Sequence, residues 1–358
     1  MKIVVVKIGS SVIAPKGKLD SKLVSDIVKD ILKAEELGYK IVLVSSGAIA
    51  CGLDKLGLKK KPQDTYALMA ISSLGQIILM DIFNAQFNVH KRTCAQILLT
   101  WDDFDTRQRF INIRKTIEKL LAMNVVPIIN ENDAVSFQEI KLGDNDCISA
   151  RVADLLGAQR LIMLSDIQGL LDKERLVEEV KDIDSKIISL AKREDKTHTT
   201  GGMETKLSAA AIATASGIET NIAYGREKKV ICRILKGEKL GTVFLAKDKI
   251  EKARKRWIIF SKKIKGKVFI DSGAEEAIIS KGKSLLGVGI ARVEGSFKGK
   301  DAVEVRDEKG NLLGYGVIEY DSDSINRNRK FEKAVIHRDN FVRVNSNECG
   351  CVGKEGSL

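Results

Sequence analysis

Histidine is scarce in this chain of 358 residues, with three in all. No HExxH pair occurs and no CxxC pair is found among the six cysteines, which argues against a zinc hydrolase and a structural zinc site. A GxxxxGK[ST] phosphate loop is missing too. Lys281-Gly282-Lys283-Ser284 resembles its end, but Ala277 stands where the first glycine is required. Gly287 and Gly289 begin a GxGxxG pattern that fails at Arg292, and no GxSxG appears. The alternate-residue spacing of an EF-hand is absent as well. These gaps remove the commonest ATPase, dehydrogenase, zincin and hydrolase readings. No run approaches the ~18 uninterrupted apolar residues of a membrane span. Met1 to Val6 is apolar but short, meets Lys7 and a Gly-Ser loop, and has no small-residue cleavage site. It is expected to be a buried strand rather than a signal peptide, with the protein in the cytosol and no membrane partner.

Cys51, Cys94, Cys147 and Cys232 are scattered and read as reduced packing residues. Cys349 and Cys351 lie in a Gly-rich polar tail, read as a disordered terminus, with a redox or metal role as the alternative.

What is present is a 44% hydrophobic chain long enough for about two domains. The net charge is +12, and ten Lys/Arg against two acids between Lys247 and Lys267 carry most of it. Such a stretch suits nucleic acid, a solvated linker, or a surface that attracts acidic ligands. Ahead of it the pattern is βαβ. Residues 2–8, 40–44, 125–129, 161–164 and 218–223 read as strands. Residues 21–37, 146–156 and 203–216 read as helices, the first with Leu23, Ile27, Ile31 and Leu37 on one face. This is an α/β domain with a parallel sheet covered on both faces. From 267 onward, short strands with frequent glycine (VFIDSG, ARVEG, DAVEVRD, LLGYGVIEY) and one helix near 273–281 read as a small β-rich domain. No internal repeat is found.

Polar residues and glycine collect where the apolar strands end, which is the ligand-binding edge of an open α/β sheet. Lys7-Ile8-Gly9-Ser10-Ser11 closes the first strand. Its loop offers backbone N–H groups to an anion, and Lys7 either meets that anion or snorkels to solvent. Ser45-Ser46-Gly47-Ala48 closes the second strand, as an anion loop or an ordinary helix cap. Thr199 to Lys206 places two threonines and two glycines ahead of an Ala-rich helix, with Lys206 in reach of a phosphate bound there or exposed on a flexible loop. Asn130-Glu131-Asn132-Asp133 and Gly143-Asp144-Asn145-Asp146 are either a pair of turns or a site for an amino group and a metal.

Taken in order, KIGSS, SSGAIACG, NENDAV, GDND, SD and TGGMETK resemble the amino acid kinase family, and most closely its glutamate-phosphorylating members. SLLGVGI, VEGSFKGKDAV and GYGVIEYDS resemble a PUA domain. The resemblance implies an αβα sandwich with a mostly parallel open sheet over residues 1–246. It then implies a basic linker at 247–266, a PUA-like domain at 267–345 and a tail at 346–358. It also implies ATP, Mg2+ and L-glutamate as reactants. Lys7 and Lys206 would neutralise the transferring phosphoryl, and Asp146 would orient them. Gly9, Ser10, Ser46 and Gly47 would supply loop contacts, while Ser46, Asp133 and Asn145 would hold glutamate. Ser165, Asp166 and the loop Thr200, Gly201, Gly202, Met203, Glu204, Thr205, Lys206 would bind the nucleotide. Ser165 stands where relatives often carry Thr, which keeps the hydroxyl. A homo-oligomer, proline as a feedback inhibitor and a dehydrogenase that consumes the acyl phosphate are further expectations. The rival readings are another acceptor within the family, such as acetylglutamate or aspartate, and RNA binding through the PUA-like domain.

Overall fold

The computed structural model describes residues 1–135, 145–194, 202–247 and 264–343. The chain divides into two compact units, Met1–Lys249 and Ile250–Leu358.

The first unit is built on an eight-stranded sheet. Its strands are β1 (Lys2–Ile8), β2 (Tyr39–Ser45), β3 (Thr93–Leu99), β4 (Val125–Glu131), β5 (Arg160–Ser165), β8 (Glu179–Val180), β9 (Glu219–Tyr224) and β10 (Thr242–Phe244). β6 (Leu171–Asp172) and β7 (Arg175–Leu176) form a separate small hairpin. The sheet order is β3-β4-β2-β1-β5-β9-β10-β8, and every pairing except β9 with β10 is parallel. β1 is central, buried from Ile3 to Ile8 as its unbroken apolar run requires. The chain leaves β1 toward β2 on one side and later returns to β5 on the other. The switch point of the topology therefore lies at the carboxyl ends of β1, β2 and β5, where an open sheet leaves a crevice.

The helices of this unit are α1 (Ser10–Ile13), α2 (Ser21–Glu36), α3 (Ala48–Lys55), α4 (Thr65–Val89), α5 (Asp102–Asp105), α6 (Arg107–Ala122), α7 (Asn145–Leu156), α8 (Ser185–Glu194), α9 (Met203–Ala215) and α10 (Val230–Leu235). α2 is capped by Asp20, whose carboxylate accepts the N–H of Leu23 at 3.0 Å. Its buried stripe is Val24, Ile27, Val28, Ile31 and Ala34. Leu37 departs from the expected face and is 42% exposed, because the helix stops at Glu36 and the chain reverses through Gly38 (φ 88°). One core joins β1, β2, α2, α4 and α10 through Val4, Val6, Ile41, Ile31, Phe83 and Ile231.

α4, absent from the sequence reading, joins α3, the helix expected after the Ser46-Gly47 loop, in positioning part of the site. α4 is 25 residues long and apolar enough to cross a membrane by length and composition. Here it packs against α3 and α2 with Leu68, Ile71, Leu79, Phe83 and Phe87 buried. The α3–α4 crossing is backbone against backbone. A Cβ on Gly75 would lie 1.8 Å from the carbonyl oxygen of Ala48, and one on Gly52 would lie 2.0 Å from that of Ile71. Only glycine allows that approach.

The second unit is a five-stranded sheet of β11 (Ile264–Ile270), β12 (Ile290–Glu294), β13 (Ala302–Asp307), β14 (Leu312–Val317) and β15 (Phe341–Arg343), ordered β12-β11-β13-β14-β15. β11 begins inside the stretch expected to be linker. The helix expected at 273–281 is a short turn, α11 (Ser272–Glu275), running into a π turn at Glu276–Ser280. A last helix, α12 (Ser322–Arg327), and the core of Val268, Ile270, Val303, Val305, Ile318 and Ile336 complete the unit. Most of the basic linker and the Cys349/Cys351 tail lie outside the described residues. Cys51, Cys94, Cys147 and Cys232 are free thiols.

Candidate active site

Lys7 is the penultimate residue of β1, within its buried part, and Lys206 lies in the first turns of α9. Their side chains are 5% and 8% exposed, and both aim at Asp146 on α7, whose side chain is fully buried. Lys7 Nζ is 2.5 Å from Asp146 Oδ1, and Lys206 Nζ is 3.5 Å from Oδ2. Thr205 Oγ1 adds a hydrogen bond to Oδ2 at 2.9 Å. Burial works against ionising Asp146, but the ammonium groups of Lys7 and Lys206, with the hydrogen bonds from Lys7 and Thr205, hold its carboxyl below the ordinary aspartate range. Burial also draws Lys206 below the usual lysine range, against the pull of Asp146, and neighbouring Lys7 pushes it the same way. Both ammonium groups share Asp146, and Lys206 also feels the carboxylate of Asp166. A carboxylate inside such a cluster orients lysines and is in no position to accept a proton from a substrate.

Lys7 and Lys206 line a cleft of about 220 Å³ together with Gly9, Ser10, Ser46, Gly47, Asn145, Ser165 and Asp133. The polar strand ends singled out in the sequence thus meet in one cavity. Gly47 has φ 112° at the start of α3, and a Cβ there would sit 2.9 Å from Ile13 Cγ2, so the loop needs glycine twice over. The expected backbone donors are partly spent. The Gly9 N–H is bonded to the Leu164 carbonyl at 3.0 Å, and the Ser46 N–H to the Ile8 carbonyl at 3.2 Å. These two residues face the cleft without offering those amides to an anion, because the parallel neighbours β5 and β2 extend alongside β1 as far as the loop.

The far end of the cleft is an amide chain. Asn145 Nδ2 donates to Ser46 Oγ at 3.1 Å and to Asn130 Oδ1 at 2.8 Å, and Asn145 Oδ1 accepts the Glu131 N–H at 3.2 Å. Asn130 Nδ2 in turn donates to Gln76 Oε1 on α4 at 2.7 Å. Asp133, beyond β4, accepts a hydrogen bond from Ser72 Oγ on α4 at 2.5 Å. Burial pushes the Asp133 carboxyl above the ordinary aspartate range, against that hydrogen bond and the nearby ammonium of Lys61. Gln76, Ser72 and Lys61 were not visible in the sequence, since they belong to α4 and the loop before it.

The other expected nucleotide residues are spread around this cleft. Ser165 lines it, and its hydroxyl donates to Asp166 Oδ1 at 3.2 Å, with Asp166 itself exposed. Gly202 caps α9, Met203 turns into the core, Glu204 is exposed, and Thr205 serves Asp146. Thr200, Gly201, Gly143 and Asp144 lie outside the described residues.

The profile of the amino acid kinase family matches residues 2–224, and that of the PUA domain matches residues 266–338. A glutamate 5-kinase from Thermoanaerobacter sp. (strain X514) is 38% identical over 366 residues, covering 96% of this chain and 98% of the relative. A glutamate 5-kinase from Dictyoglomus thermophilum is 39% identical with the same coverage. The solved carbamate kinase of Giardia lamblia bound to AMP-PNP is 21% identical, with a TM-score of 0.48 over 68% of this chain and 98% of its own. Matched over most of its first unit by the family profile, and over nearly its whole length by the two glutamate 5-kinases, the chain belongs to the amino acid kinase family and carries a PUA domain behind its kinase unit.

Proposed function

We infer that the chain transfers the terminal phosphoryl group of ATP to the γ-carboxylate of L-glutamate, the glutamate 5-kinase reaction and the first step of proline biosynthesis. One observation carries this reading: a single cleft has two buried lysines on a shared carboxylate at one end and a serine, amide and carboxylate set at the other.

A glutamate γ-carboxylate, with an ordinary pKa of ~4.3, is already ionised at neutral pH, so the attack needs no general base. Among the described residues no histidine lines the cleft. The obstacle is repulsion between a carboxylate and a polyanion. On this reading Lys7 and Lys206 face the phosphoryl group and offset charge as the bond to ADP loosens and the new O–P bond forms. Ser46 and Asn145 hold the acceptor, and Asp133 receives its ammonium group. Among the described residues no group of three or more His, Cys, Asp or Glu could hold a metal ion. Mg2+ is expected to arrive mainly on the phosphates of ATP, where it would neutralise charge as the lysines do.

Purified protein with Mg2+ and ATP should release ADP only when L-glutamate is added, and hydroxylamine should trap the acyl phosphate as a hydroxamate. Absence of turnover with L-glutamate, or better turnover with N-acetylglutamate or aspartate, would reject the assignment. A second test addresses the amide chain. Gln76→Leu removes the acceptor of the buried Asn130 amide and should raise KM for L-glutamate about tenfold, the scale of an unsatisfied buried donor, with KM for ATP unchanged. An unchanged KM for glutamate would mean that Gln76 does not position this end of the cleft.

A further inference from the structure

The acceptor end of the cleft contains a cation that neither the phosphoryl chemistry nor the amide chain uses. Lys61 lines the cavity with Ser46, Asn130, Asp133 and Asn145, and its charge is felt at Asp133. Among the described residues the other cations lining the cleft are Lys7 and Lys206, both paired with Asp146. Lys61 makes no salt bridge among the described residues. It lies in the loop between α3 and α4, last in the run Lys59-Lys60-Lys61, and it alone of the three lines the cleft. Two local features hold its backbone. Pro62 follows it and restricts Lys61 to extended conformations. Asp64 then caps α4 by accepting the N–H groups of Tyr66 at 3.3 Å and Ala67 at 3.0 Å.

L-Glutamate brings three charged groups into this cleft. The γ-carboxylate must point at Lys7 and Lys206, and the ammonium group finds Asp133. The α-carboxylate is left, and it needs a cation at the same end as Asp133 but separate from the phosphoryl lysines. We propose that Lys61 is the residue that binds the α-carboxylate of the acceptor, so that Lys61 and Asp133 together select a free α-amino acid. The proposal rests on the glutamate reading above. It accounts for a positive and a negative side chain on neighbouring walls at the non-reacting end, a pairing that matches a zwitterion rather than a dicarboxylate or a neutral amide.

The test crosses a substitution in the protein with one in the substrate. L-Isoglutamine keeps the ammonium and the γ-carboxylate but carries a neutral carboxamide in place of the α-carboxylate. Lys61→Met should lower kcat/KM for L-glutamate about 10- to 100-fold, the range for a hydrogen bond to a charged group, almost entirely through KM. With L-isoglutamine, already poor for the wild type, Lys61→Met and wild type should agree within about twofold, since the partner of the lysine is gone. Lys61→Arg should recover most of the loss, and Lys60→Met should match wild type on both acceptors. An equal loss on both acceptors from Lys61→Met, or no loss on L-glutamate, would overturn the proposal. Failure of the wild type to phosphorylate L-glutamate would instead overturn the reading beneath it, so the two failures are distinguishable.

Discussion

Replacing Lys206 by Ala should lower kcat by a factor of about 10² or more, comparable to removing an oxyanion-hole donor, while leaving the fold intact. The fold should survive because Asp146 keeps its shorter contact, to Lys7 at 2.5 Å, and the hydrogen bond from Thr205. What is lost is a desolvated ammonium group with little water near it to replace its charge. Lys7→Ala should behave alike. Asp146→Ala is a poorer experiment: it strands two buried cations without their anion, so lost activity would be confounded with lost stability. Near-normal turnover in Lys206→Ala, measured beside an unchanged circular dichroism spectrum, would remove Lys206 from the phosphoryl-transfer step.

The second large effect concerns stability, and its sign opposes local propensity. Gly75 lies inside α4, where Ala is normally favoured over Gly by about 0.8–1 kcal/mol. Yet its added methyl would have to occupy the place of the Ala48 carbonyl and the Gly52 amide, at 1.8 and 2.4 Å. Backbone cannot rotate away as a side chain can, so the helices must separate. Overpacking of this kind costs about 3 kcal/mol or more, which for a unit of this size lowers the melting temperature by roughly 6–12 °C. Calorimetry of Gly75→Ala should show that drop in the transition of the kinase unit. Ser73→Ala, at an exposed position on the same helix, should stay within about 0.5 kcal/mol of wild type. A Gly75→Ala protein as stable as wild type would mean that the crossing is looser than described.

How much of this was legible in the sequence depended on how local each cause is. β1, β2, β4, β5 and β9 could be read because each is an apolar run closed by polar residues, and the ends of the first four marked the cleft. Lys7 and Lys206 stood out as charges beside such runs. Gly9 illustrates what local pattern misses. Its loop reads as a phosphate cradle, but its N–H belongs to Leu164, a carbonyl more than 150 residues away whose position depends on strand register. Gln76 and Ser72 were unreadable for a related reason. They interrupt a long apolar helix as ordinary polar residues, and only the packing of α4 on the sheet aims them at Asn130 and Asp133. β10 and β15, at three residues each, are too short to carry a periodicity.

The glycine crossing of α3 and α4 has one more consequence. α3 begins at the Ser46-Gly47 turn, the intervening loop carries Lys61, and α4 carries Ser72 and Gln76. One contiguous stretch of about thirty residues, clamped to itself by bare backbone, therefore holds Ser46, Lys61, Ser72 and Gln76. The lysines and their aspartate reside on β1, α7 and α9, elsewhere in the chain. Asp133 follows β4 and Asn145 adjoins Asp146 on α7, so exchanging the stretch from Ser46 to Gln76 alone would rebuild one wall of the cleft while the lysines and their aspartate stay in place.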